Sequence, residues 1–123
     1  MNFENIRAYR DDEYQSIIKK LLEVEVLMET IHSYLPEFTM DEIKEKLLSF
    51  STIQQFQSEM VCWVIDRILT ASSDGITFKG ITELNPNISN LFISNHRDIV
   101  LDSALINYAL NERKKNTSEI AIG

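Results

Sequence analysis

Cys62 is the only cysteine in a chain of 123 residues. An internal disulfide framework is therefore excluded, and so is any CxxC zinc or redox motif. With only two histidines, a zinc site would have to lean on carboxylates. Three glycines and two prolines exclude collagenous or linker-like character. Cations are also scarce: twelve Lys and Arg stand against nineteen Asp and Glu, a net charge of −7. General binding to nucleic-acid phosphates needs clustered cations, so nucleic acid is not an expected partner. Long apolar runs are missing too. The most apolar stretch, Met60 to Ala71, contains Asp66 and Arg67 and is too short to span a bilayer. Met1 to Asp12 is polar and lacks the apolar segment of a signal peptide. A cytoplasmic location is expected, with any membrane contact peripheral.

What is present is ordinary globular material: 44% hydrophobic and 25% charged residues. Up to Ser72 the pattern is helical. Tyr14, Ile17, Ile18, Leu21, Val24, Met28, Ile31 and Leu35 recur at three- and four-residue spacing, the period of one helix face. Asp12 with Gln15 has the form of a capping box at the start of that helix, and Pro36 ends it. Thr39 with Glu42 is a second such box, ahead of Ile43, Leu47 and Leu48. Ser51 with Gln54 is a third, ahead of Ile53, Phe56, Met60, Val61, Val64 and Ile68. Amphipathic helices with short connections imply a small antiparallel bundle over residues 1–72.

After Ser72 the signals change. Asp74-Gly75 and Asn85-Pro86-Asn87 are turn sequences. Ile76-Thr77-Phe78 is short and β-rich, and Leu91-Phe92-Ile93-Ser94 has the composition of a buried strand. A helix is predicted from about Asp98 to Lys115, and Arg113-Lys114-Lys115 suits the negative end of its dipole. Ile120-Ala121-Ile122 is expected to begin a further strand. Strand, helix and strand in this order predict a βαβ unit. The expected fold class is α/β: a helical bundle over 1–72, then an incomplete α/β domain with a partial sheet over 73–123, mostly helical overall. An unfinished sheet has an unpaired edge, so homodimer formation is expected.

The residues with chemical potential lie in Ser94-Asn95-His96-Arg97-Asp98, with Asp102 following. His96 falls at the carboxyl end of the predicted strand, where ligands bind in open α/β sheets. Asp98 and Asp102 follow it at two and six residues' remove. A carboxylate beside a histidine fixes its tautomer and stabilises the imidazolium, so the other ring nitrogen can act as a base. Asp98 is better suited to capping the following helix than to catalysis. A metal held by His96, Asp98 and Asp102 lacks a further ligand, and none is expected.

This stretch resembles the first conserved block of the glycerol-3-phosphate and lysophosphatidate acyltransferases. That block runs strand, (Ser/Ala)-Asn-His-(Arg/Gln/Ser), then an Asp on the following helix. Gly80-Ile81-Thr82-Glu83-Leu84-Asn85 is a loose match to the family's lead-in, and the resemblance covers Gly80 to Ala109. The family's spacing would place its Asp at Leu101; Asp102 stands one residue later. The resemblance implies an enzyme of phospholipid biosynthesis that moves a fatty acyl group from a thioester, on coenzyme A or acyl carrier protein, to a glycerol-phosphate hydroxyl. His96 would be the general base and Asp102 its partner, with Asn95, Arg97 and Asp98 supporting. No cofactor is implied beyond the acyl donor. The helical segment ahead of the domain would help bind acyl chain or membrane, with Met28, Phe38, Met40 and Phe50 available. The family's later Glu-Gly-x-(Ser/Thr)-Arg block does not occur before Gly123, so the chain is expected to be an N-terminal piece, inactive alone. The alternative expectation is a non-enzymatic interaction or oligomerisation module whose working part is Met1 to Ser72.

Overall fold

The computed structural model describes residues 4, 6–95, 97–98 and 100–120. Contacts divide the chain into two compact units, Met1–Phe56 and Gln57–Gly123.

In the first unit, a 3-10 turn over Asp11–Glu13 leads into α1 (Tyr14–Leu22). Then follow α2 (Glu25–Tyr34), α3 (Met40–Ser49) and a short α4 (Ile53–Gln55). The single helix predicted from Asp12 to Leu35 is broken at Glu23-Val24, where Val24 is extended. The break has a packing reason. A straight helix of that span would run about 35 Å, while the ten residues of α3 reach only about 15 Å. Folding at Val24 lets α1 and α2 both pack on α3 and on each other. Tyr14, Ile18, Met28, Leu35, Ile43, Leu47 and Phe50 form the buried set.

The predicted caps are realised unevenly. Thr39 and Glu42 form their box: the Glu42 N–H donates to Thr39 Oγ1 (3.3 Å) and the Thr39 N–H to Glu42 Oε2 (2.7 Å). The Asp12–Gln15 box is not used. Instead, Gln15 Nε2 donates to the Leu48 and Phe50 carbonyls at 3.0 and 2.7 Å, satisfying acceptors at the end of α3. The third box slips by one residue. Thr52 caps the Gln55 N–H at 3.1 Å, and the Ser51 N–H donates to Gln55 Oε1 at 2.9 Å.

The chain passes from α4 through a π-helical stretch, Phe56–Val61, into α5 (Cys62–Ser72). A π turn holds more residues than an α turn, so it rotates the apolar stripe downstream. Cys62 and Ile65 are thus fully buried, whereas Val64 and Ile68 of the predicted stripe are half-buried. The second unit is built on α5 packed against α6 (Leu101–Glu112). Cys62, Ile65, Ala104 and Tyr108 make its core, flanked by Val61, Leu69, Phe78 and Leu105.

The expected α/β fold class is not what forms: among the described residues there is no strand. Residues 76–78 and 91–94 have no ladder partner among the described residues, and a strand exists only by pairing. Phe78 is held by its side chain, its ring 6.0 Å from that of Tyr108. Leu91 and Ile93, expected inside a sheet, are 86% and 87% exposed. Of the third predicted strand, Ile120 is exposed, and residues 121 and 122 lie outside the described residues. The β-branched and aromatic composition of these segments is a local preference, and no described segment supplies the cross-strand contacts that would realise it. No helix of the described residues is long and apolar enough to cross a membrane.

Candidate functional site

The site residues fall where a loop enters α6. Ser94, Asn95, Arg97 and Asp98 are exposed, and Asp102 is half-buried in the first turn of the helix. His96, the candidate base, lies outside the described residues.

The two carboxylates that follow His96 have divided roles. Asp98 Oδ1 accepts the backbone N–H groups of Val100 (2.9 Å) and Leu101 (2.7 Å). It therefore caps α6, satisfying donors that a helix start leaves without intrahelical partners. Asp102 points back along the chain. Its Oδ2 accepts the N–H of Arg97 at 2.8 Å and that of Asp98 at 3.0 Å. A short loop is thereby tied to the first turn of α6 from both directions. The negative charges also lie at the positive end of the helix dipole. The predicted helix start at Asp98 moves to Leu101, because Asp98 caps the helix from outside it.

The lead-in, Gly80 to Asn85, contains a 3-10 turn over Ile81–Glu83. Gly80 precedes it at φ 82°, a left-handed conformation that suits a residue without Cβ. Glu83 is exposed, and the Leu84 carbonyl accepts from Lys115 Nζ at 3.0 Å. Lys115 is thus not merely a solvated, dipole-matched residue. It ties the lead-in to the far end of α6.

That end is closed by a Schellman arrangement. The Lys115 N–H donates to the Leu110 carbonyl and the Lys114 N–H to the Asn111 carbonyl, both at 2.9 Å. Lys114 takes the left-handed position, φ 54°.

Asn107 has no assigned role in the sequence pattern, yet it is only 3% exposed. Its Oδ1 accepts the Ser118 N–H (2.7 Å) and hydroxyl (2.8 Å), and its Nδ2 donates to the Ser118 carbonyl (3.1 Å). The available signal is a polar residue within the apolar run Ala104 to Leu110. Nearby, Tyr108 donates its hydroxyl to Asp66 Oδ1 at 2.7 Å. That bond to a carboxylate, and then burial, push its phenol up to about 12. Burial raises the Cys62 thiol, as befits a core residue that is not poised as a thiolate. These groups hold α5, α6 and residues 115–118 together.

Two of the side chains considered for acyl-chain or membrane contact are unavailable for it. Met28 and Phe50 are buried in the first unit, while Phe38 and Met40 are half-buried. Among the described residues no group of three or more His, Cys, Asp or Glu could hold a metal ion. No family model, curated protein or solved structure matches the chain.

Proposed function

We propose that the chain carries the general base of an acyl transfer: His96, with Asp102 as its positioning carboxylate. One observation supports this reading. Asp102, six residues after His96, turns its carboxylate back onto the amides of Arg97 and Asp98, the two residues directly after it. The carboxylate is thus held beside Arg97 and Asp98, although Asp102 stands one residue later than the family's spacing. Asp102 lies on α6, as the family's Asp lies on the helix after its His, whereas Asp98 caps that helix from outside it.

In the proposed reaction His96 removes the proton from a glycerol-phosphate hydroxyl. The oxygen attacks the thioester carbonyl, the C–O bond forms and the C–S bond breaks. The proton passes from the imidazolium to the departing thiolate, so the base is regenerated.

The test is an acyl-transfer assay with palmitoyl-coenzyme A and glycerol 3-phosphate or its 1-acyl form. It is run on the protein containing this chain and on its His96→Ala and Asp102→Asn variants. The carboxamide of Asp102→Asn can still accept the Arg97 and Asp98 amides, so the loop keeps its geometry while the charge is lost. Both variants are expected to lose about 100-fold or more in kcat, the usual range for general-base catalysis. Near-normal activity in a folded His96→Ala protein removes His96 from this role.

A second reading, a helical interaction module, is favoured by a different observation: every packed element among the described residues is helical. On that reading the wild-type protein transfers no acyl group, and His96→Ala leaves partner binding unchanged.

A further inference from the structure

We propose that residues 89–95 pair with the same residues of a second copy of this chain, as antiparallel strands related by a two-fold axis through Phe92. The proposal is independent of the acyl-transfer reading.

The segment is not helical, and among the described residues Ser89 to Ser94 make no backbone hydrogen bonds to one another or to other parts of the chain. Leu91 and Ile93, two residues apart, are 86% and 87% exposed, while Phe92 between them is half-buried. A β-prone segment with free backbone donors and acceptors, and with two exposed apolar side chains two residues apart, can serve as a template for another strand.

The sequence says which strand. Ser89-Asn90-Leu91-Phe92-Ile93-Ser94-Asn95 has the same order of polarity in either direction from Phe92. Antiparallel self-pairing about Phe92 sets Leu91 against Ile93 of the copy, and Ile93 against its Leu91. Asn90 then faces Ser94, and Ser89 faces Asn95. Every apolar residue meets an apolar residue and every polar residue a polar one, as an isologous contact requires. Charge points the same way. The chain bears −7, yet no Asp, Glu, Lys or Arg occurs from Leu84 to Asn95. Two copies can meet along this stretch without like charges facing each other.

Light scattering on the full chain over a concentration series tests the pairing, beside Leu91→Lys, Ile93→Glu and their equimolar mixture. Wild type is expected to rise from one chain mass towards two. Each variant alone is expected to remain at one, because a charge then faces an apolar residue at both contacts. The mixture is expected to regain two chain masses. There the introduced lysine of one chain faces the introduced glutamate of the other at one contact, and Leu91 faces Ile93 at the second. Wild type that stays monomeric overturns the proposal and leaves the edge to a foreign strand. A dimer indifferent to both substitutions overturns it, and so does a mixture that stays monomeric. Wild type alone is decisive should either variant lose its helical circular dichroism.

Discussion

Asn107→Ala is expected to be among the most damaging polar substitutions in the Gln57–Gly123 unit. The native side chain makes three hydrogen bonds to Ser118, at 2.7, 2.8 and 3.1 Å. Each net bond is worth about 0.5–1.5 kcal/mol, so the set could reach about 4.5 kcal/mol. Ser118 is only half-buried, however, and water replaces part of what it loses. The expected cost is about 2–3 kcal/mol. Ser118→Ala removes the hydroxyl bond alone and keeps both backbone bonds, so it should cost about 1 kcal/mol. In the double variant the Ser118→Ala cost should nearly vanish, because its acceptor is already gone. Urea unfolding followed by circular dichroism gives the energies, provided the two units unfold in one transition. Amide exchange at Ser118 gives a local reading in any case, and its protection should fall in Asn107→Ala. A loss below about 0.5 kcal/mol with Ser118 still protected would refute the clasp, since a single net bond already exceeds that.

Other consequences can be measured the same way. Lys114→Gly should stabilise the chain by about 0.5 kcal/mol, because glycine relieves a left-handed position at a cost in unfolded-state entropy; a lowered melting temperature would contradict this. Thr39→Ala should cost about 1 kcal/mol through loss of the capping box, seen as a lower urea midpoint. Arg7 grips Glu13 through two bonds of 2.8 Å, and these, with the Arg10 amide, pull the Glu13 carboxyl down to about 2. Because the folded value is depressed, this contribution is present above the unfolded carboxylate range and fades as pH falls towards 2. Both side chains are only half-buried, so water still screens the pair and its stability effect is small. A carbon-detected titration of Glu13 should show the midpoint return towards the ordinary range in Arg7→Gln, and an unmoved midpoint would exclude Arg7 as the cause.

Local signals carried over unequally. The Thr39–Glu42 box was legible because both partners lie within one turn, and it forms where the spacing says. Asp12–Gln15 has the same spacing, but Gln15 finds the carbonyls of Leu48 and Phe50, which are distant in sequence. The Asp98 cap and the Asp102 carboxylate were both legible as candidates, two and six residues past His96. Their division of labour became visible only when the loop geometry showed which amides each accepts. Asn107 was illegible because its partner, Ser118, lies beyond the helix end.

By itself the sequence determined what local chemistry can decide: most of the helical segments, the Thr39 cap and the run of residues with chemical potential before α6. Only the tertiary structure decided where helices break, which stripe faces inward after the π-helical stretch, and whether β-prone segments become strands. Helical hydrogen bonds close within a few residues, so their pattern is written locally. A strand's bonds must be supplied by another segment, and for Ile76-Thr77-Phe78 and Leu91-Phe92-Ile93 no described residue supplies them.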